Sequence, residues 1–122
     1  MILSYSWVVT ISYMLLITVL SHIPAEDIPN LASSGPNNVD ILFHFAEYSI
    51  LGFLLFNSIN TDGSLAVSPF YGSIFVGMFF SMFDEFHQSF VPGRHMSLID
   101  IIFDLIGILF GTIMSSRIFN PS

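Results

Sequence analysis

The chain has 122 residues, of which 53% are hydrophobic and only 9% charged, and its nine acids against two arginines give a formal net charge of −7. A water-soluble domain carries about 25% charged residues, so this composition excludes an ordinary soluble globule, and the acidity excludes nucleic-acid binding and polybasic membrane association. With no cysteine, disulfide scaffolds, thiolate metal sites and Cys nucleophiles are excluded as well.

A helix needs about 20 apolar residues to cross a bilayer core, and the sequence offers four such stretches. The first covers about residues 5–23, uncharged before His22. It lacks a basic N-terminal region, and Ile23-Pro24-Ala25 is a poor cleavage site, so it reads as a retained helix and not a signal peptide. A break rich in proline (Pro24, Pro29, Pro36) leads to the second stretch, about 41–59. The segment at 60–64 leads to the third, about 67–90, and Pro92-Gly93 forms a turn before the fourth, about 98–118. The last two connections are short, which makes neighbouring helices antiparallel. The expected fold is one all-α membrane domain over residues 1–122, a four-transmembrane-helix antiparallel bundle with a polar pocket near one membrane face.

Ionisable groups inside a membrane are costly and tend to face a partner or a cavity. In the second span Asp40, His44 and Glu47 fall at i, i+4 and i+7, on one helix face. Asp84, His87 and Gln88 share a face of the third, with Glu85 about 100° from Asp84. Asp100 and Asp104 stack in the fourth, followed on the same stripe by Gly107 and Gly111. The start of the second span, the end of the third and the start of the fourth lie on one side of the membrane. At about 1.5 Å per residue, Glu47, Asp84 and Asp104 sit roughly 10 Å in from that side. The three faces are therefore expected to converge, with the loop carrying Arg94 above them and Arg94 folding onto Asp84, Asp100 or Asp104. Buried carboxylates that cannot all ionise need protons, Arg94, His44 or a bound cation.

Some of these residues have plainer roles. Ser97 and Asp100 fit a capping box, Asp40 suits a helix N-terminus, and His22, His87 and His95 suit an interface. Gly107 and Gly111 form a small-xxx-small helix-packing pattern, also open to oligomerisation. The 14 Phe and Trp7 read as lipid-facing and belt residues. Glu47, Asp84 and Asp104 lie away from helix ends, where capping does not account for them.

The same residues carry a resemblance. Asp40-x-x-x-His44-Phe45-x-x-Tyr48-x-x-Leu51-Gly52, then Asp84-Glu85-x-x-Gln88-x-Phe90-Val91-Pro92-Gly93-Arg94-x-x-Ser97-x-x-Asp100, then Gly107 and Gly111, resemble the VanZ-like family of small bacterial membrane proteins, from Trp7 onward. Ile41 stands where that family commonly has Lys, and Asp104 where it commonly has Asn, which makes this cluster more acidic. The resemblance implies a cell-envelope protein of the cytoplasmic membrane. The family's namesake is associated with low-level resistance to the lipoglycopeptide teicoplanin, which is a phenotype without a reaction.

Four functions are open at this point. An envelope factor would bind or modify an amphiphile, a lipid-linked wall precursor or a lipoglycopeptide, through Asp40, His44, Glu47, Tyr48, Asp84, Glu85, Gln88, Arg94, Asp100 and Asp104. An intramembrane enzyme would use Glu47, Asp84 or His44 as acid or base, or a divalent cation on some of His44, Glu47, Asp84, Glu85 and Asp104, a set suited to Mg²⁺, Ca²⁺ or Mn²⁺. An ion-coupled transporter and a structural partner in a membrane complex complete the set. Arg94 and Arg117 oppose each other across the membrane. If Arg94 is neutralised in the pocket, Arg117 places both termini in the cytoplasm.

Overall fold

The computed structural model describes residues 4–21, 38–62, 66–91, 93 and 98–119. Among them are four helices and no strand: α1 (Tyr5–Ser21), α2 (Asn38–Thr61), α3 (Pro69–Gln88) and α4 (Leu98–Phe119). Ser4 caps α1, its Oγ 3.5 Å from the Trp7 amide. Ser68 caps α3 ahead of Pro69, which has no amide proton to leave unsatisfied in the first turn. Gly93, after α3, has φ 78°, a left-handed conformation that glycine adopts without strain.

Two helices, over Ile41–Thr61 and Leu98–Phe119, are long and apolar enough to cross a membrane; α1 is apolar but shorter, at 17 residues. In α3 the polar end Asp84-Glu85-Phe86-His87-Gln88 follows an apolar body. The four-helix content agrees with the sequence, whereas length and apolarity single out two spans where four are expected.

Packing is organised around α2, whose most extensive contact is with α4. That seam is built on three glycines. A Cβ on Gly52 would strike the Ile108 carbonyl oxygen, one on Gly107 would lie 3.1 Å from the Ser49 amide nitrogen, and one on Gly111 would collide with the Ser49 carbonyl oxygen. The Gly107/Gly111 face, which the sequence leaves open to a second copy, is thus occupied within the chain by α2. On the other side of α4, Gly77 of α3 leaves room for the Ile108 side chain, and Ser73 Oγ meets Thr112 Oγ1 at 3.1 Å. α1 packs mainly on α2 and little on α3. It is fixed by hydroxyls: Thr10 Oγ1 lies 2.6 Å from Ser58 Oγ, Ser58 donates to the Ser6 carbonyl at 3.0 Å, and Tyr13 donates to the Glu47 carbonyl at 2.8 Å. Trp7, expected in an aromatic belt, is half-buried and donates its Nε1–H to Asp62 at 3.1 Å.

The distribution of polarity inverts that of a soluble bundle. Among the described residues, buried polar side chains outnumber buried apolar ones, while Leu15, Phe79, Phe83 and Phe86 are among many large hydrophobics facing outward. An outer surface of this kind is stable where the surrounding medium is apolar and backbone groups are satisfied within helices. The apolar core proper is a thin layer of Ile17, Tyr48, Leu51, Leu55 and Ile108.

Candidate functional site

The antiparallel order brings the C-terminal ends of α1 and α3 beside the N-terminal ends of α2 and α4. At that end the helix stripes read from the sequence meet. His44 of α2 is the centre. Its Nδ1 lies 2.8 Å from Asp104 Oδ1 and 3.9 Å from Glu85 Oε1, and its Nε2 lies 3.7 Å from Asp100 Oδ2. The imidazole therefore stands among three carboxylates from α3 and α4. Glu85 and Asp104 are fully buried, and Asp100 is buried in the first turn of α4. The remaining oxygen of Asp104, Oδ2, accepts from Ser81 Oγ at 2.7 Å.

Beside this group lies a second one centred on Asp84. Its Oδ2 accepts from Ser21 Oγ at 2.8 Å and from the Tyr48 hydroxyl at 3.3 Å, which joins α1, α2 and α3 at one carboxylate. Tyr48 is fully buried beneath it, and Gln88 is buried one turn along α3. Glu47 is half-buried on α2, where its carbonyl serves Tyr13. His87 packs its ring on Phe83, with centroids 4.3 Å apart. Arg94, Ser97 and His95 lie outside the described residues, as do His22 and the side chain of Asp40, although Asp40 belongs to the first turns of α2.

Of the metal candidates, His44, Glu85 and Asp104 come together, each offering a ligand atom within 4.8 Å of the others. Glu47 and Asp84 stand outside that set. Ser21 and Ser81 are site residues that the sequence reading passes over. Ser81 had a signal, since it sits three and four residues before Asp84 and Glu85 on α3. Ser21 had none, being one hydroxyl at the end of an apolar run.

The arrangement supports two kinds of chemistry. His44, oriented by the Asp104 carboxylate at Nδ1 and facing Asp100 with Nε2, is placed to hold or pass a proton as a general acid or base. The same nitrogen and oxygen donors also suit a divalent cation.

Below the acids the bundle closes. Leu51 lies one turn below Tyr48 on α2, Ile108 one turn below Asp104 on α4, and Ile17 one turn before Ser21 on α1, all three fully buried. The hydroxyl pairs Ser73–Thr112 and Thr10–Ser58 lie on the far side of this layer. The polar end is thus a buried cluster resting on an apolar layer.

Comparison with curated proteins and with solved structures returns no match. The model of the VanZ/LLP1 family matches residues 4–120, nearly the whole chain and all of the site above. The chain belongs to the VanZ/LLP1 family.

Proposed function

We propose that this protein is a four-span, multi-pass component of the bacterial cytoplasmic membrane that receives the polar head of an envelope amphiphile at the polar cluster around His44. The occupant is a lipid-linked wall precursor or a lipoglycopeptide. The observation that carries this reading is the closed geometry: a polar cluster drawn from all four helices at one end, floored by Ile17, Leu51, Leu55 and Ile108. A polar cluster confined to one end would engage a head group at one membrane face while the acyl chains remain in the bilayer. The same floor weighs against transport, which needs a polar route through it. In length, α1 spans about 26 Å and α3 about 30 Å at 1.5 Å per residue, close to the bilayer's hydrocarbon core.

In this reading Arg94, on the connection between α3 and α4, meets phosphate or carboxylate of the head group, while Tyr48, Gln88 and the acids fix its orientation. Family membership supports an envelope role, and sequestration of a lipoglycopeptide or its target would produce resistance of the teicoplanin kind. Native mass spectrometry of the purified protein tests it: a co-purified amphiphile that is lost in Arg94→Ala is the expected result, and no Arg94-dependent adduct refutes it.

A second reading has its own observation, the 2.8 Å contact of His44 Nδ1 with Asp104. It makes His44 an acid/base catalyst acting on the bound amphiphile. Turnover of the co-purified lipid that stops in His44→Gln, while the adduct remains, would distinguish modification from binding. For orientation, Arg117 near the end of α4 favours cytoplasmic termini and a polar cluster toward the outer face. A Gly35→Cys variant should then react with an impermeant thiol reagent added to intact cells, and protection there would invert the topology.

A further inference from the structure

The set His44, Glu85 and Asp104 can be read more closely than as an acidic cluster. Its donors are of two kinds, one imidazole nitrogen and two carboxylates, and they come from α2, α3 and α4, so helix packing fixes their separation. The groups behind them are arranged as behind metal ligands. A ligating histidine commonly has a carboxylate, carbonyl or water at its other nitrogen, and a ligating carboxylate is itself hydrogen-bonded. Here Nδ1 faces the set while Nε2 turns to Asp100 Oδ2 at 3.7 Å, and Ser81 holds the outer oxygen of Asp104 at 2.7 Å, which turns Oδ1 inward. With ligand atoms no more than 4.8 Å apart, small side-chain movements bring all three to the roughly 2.0–2.2 Å that a first-row divalent cation takes from N and O donors.

We propose that His44, Glu85 and Asp104 bind one divalent cation of the Mn²⁺ type, and that this cation presents its open positions to a phosphate of the amphiphile's head group. Mn²⁺ accepts oxygen and imidazole donors together, while an all-oxygen cage would favour Mg²⁺ or Ca²⁺. A bound dication also offsets part of the buried acidity that would otherwise repel a phosphate. The bridging role rests on the amphiphile reading; the cation site rests on the geometry alone.

The test uses the full-length protein in detergent, titrated with Mn²⁺ and followed by electron paramagnetic resonance. One Mn²⁺ per chain is expected, with an echo modulation from a coordinated ¹⁴N that changes on ¹⁵N-histidine labelling. His44→Gln should abolish that modulation and weaken binding at least about tenfold, as loss of even an outer-shell partner does, and Glu85→Gln should weaken it similarly. Asp62→Asn, an acid at the opposite end of the bundle, should leave it intact. Thermal melting of each variant confirms folding. A folded wild type without stoichiometric Mn²⁺, or bound Mn²⁺ without nitrogen coupling, overturns the proposal, as does retention of full affinity in His44→Gln. Native mass spectrometry of the same samples, before and after EDTA, separates the two readings. A lipid adduct indifferent to EDTA removes the cation bridge and leaves amphiphile binding standing, whereas a nitrogen-coordinated Mn²⁺ with no lipid adduct removes the amphiphile reading and leaves the metal site.

Discussion

Replacing Gly111 with alanine tests the seam that positions the site. In an exposed helix this change stabilises by about 1 kcal/mol, because alanine is the better helix former. Here the new methyl group would collide with the Ser49 carbonyl oxygen, with Ser49 C at 2.7 Å and Phe53 N at 2.9 Å. All three atoms belong to the backbone of α2, so no rotamer change relieves the clash and the two helices must separate. Overpacking costs about 1–3 kcal/mol where side chains yield, so a backbone clash belongs at or above about 3 kcal/mol and outweighs the propensity gain. At roughly 4 °C per kcal/mol for a chain of this size, the melting temperature of the purified protein should fall by about 10 °C. Gly72→Ala is the internal comparison, since its Cβ would meet the Val67 and Ile59 side chains at 2.9 and 3.1 Å. Those side chains can move, so its fall should be less than half as large. A Gly111→Ala protein that melts with the wild type would refute the close α2–α4 contact and, with it, the placement of His44 against Asp104.

Three further predictions concern hydroxyl and indole ties. Thr10→Val keeps the shape of a fully buried side chain but deletes its bond to Ser58, and should cost about 1 kcal/mol in detergent melting. Ser21→Ala removes one of the donors to Asp84 Oδ2 at the polar cluster, costing about 1 kcal/mol, and Ser21→Thr should restore most of it. Trp7→Phe deletes the part-buried bond to Asp62 and should lower stability by no more than about 1 kcal/mol, while shifting the near-UV circular dichroism of the protein.

The site was legible where helical periodicity carries it. Asp40, His44 and Glu47 at i, i+4 and i+7, and Asp100 and Asp104 at i, i+4, announce faces, and antiparallel order announces which ends meet. From this the convergence of the three faces at one end follows without coordinates. Which acid stands nearest the imidazole does not follow, because that depends on the rotation of each helix about its axis. Glu85, offset from the Asp84 stripe, reaches His44, while Asp84 is taken by Ser21 and Tyr48. The glycine stripe was equally legible as a packing seam, but the partner is written in Gly52 and the Ser49 backbone, which no spacing rule points to. Boundaries moved by a few residues, as at Ser68-Pro69, where an N-cap and N1 pair begins α3. Single serines were invisible for a physical reason: in a helix a hydroxyl can satisfy itself on the preceding turn, as Ser49 does on Phe45, so its presence does not reveal whether it also serves a carboxylate.

Binding of an amphiphile's head group at the end of the bundle around His44 and Asp104 is the proposed role of this protein. It is tested most directly by native mass spectrometry of the folded protein beside a His44→Gln/Asp104→Asn double variant and Thr10→Val at the opposite end. An amphiphile adduct is expected on the wild type and on Thr10→Val, and its loss in the double variant. Equal adduct occupancy in all three proteins, or none on the wild type, would contradict it.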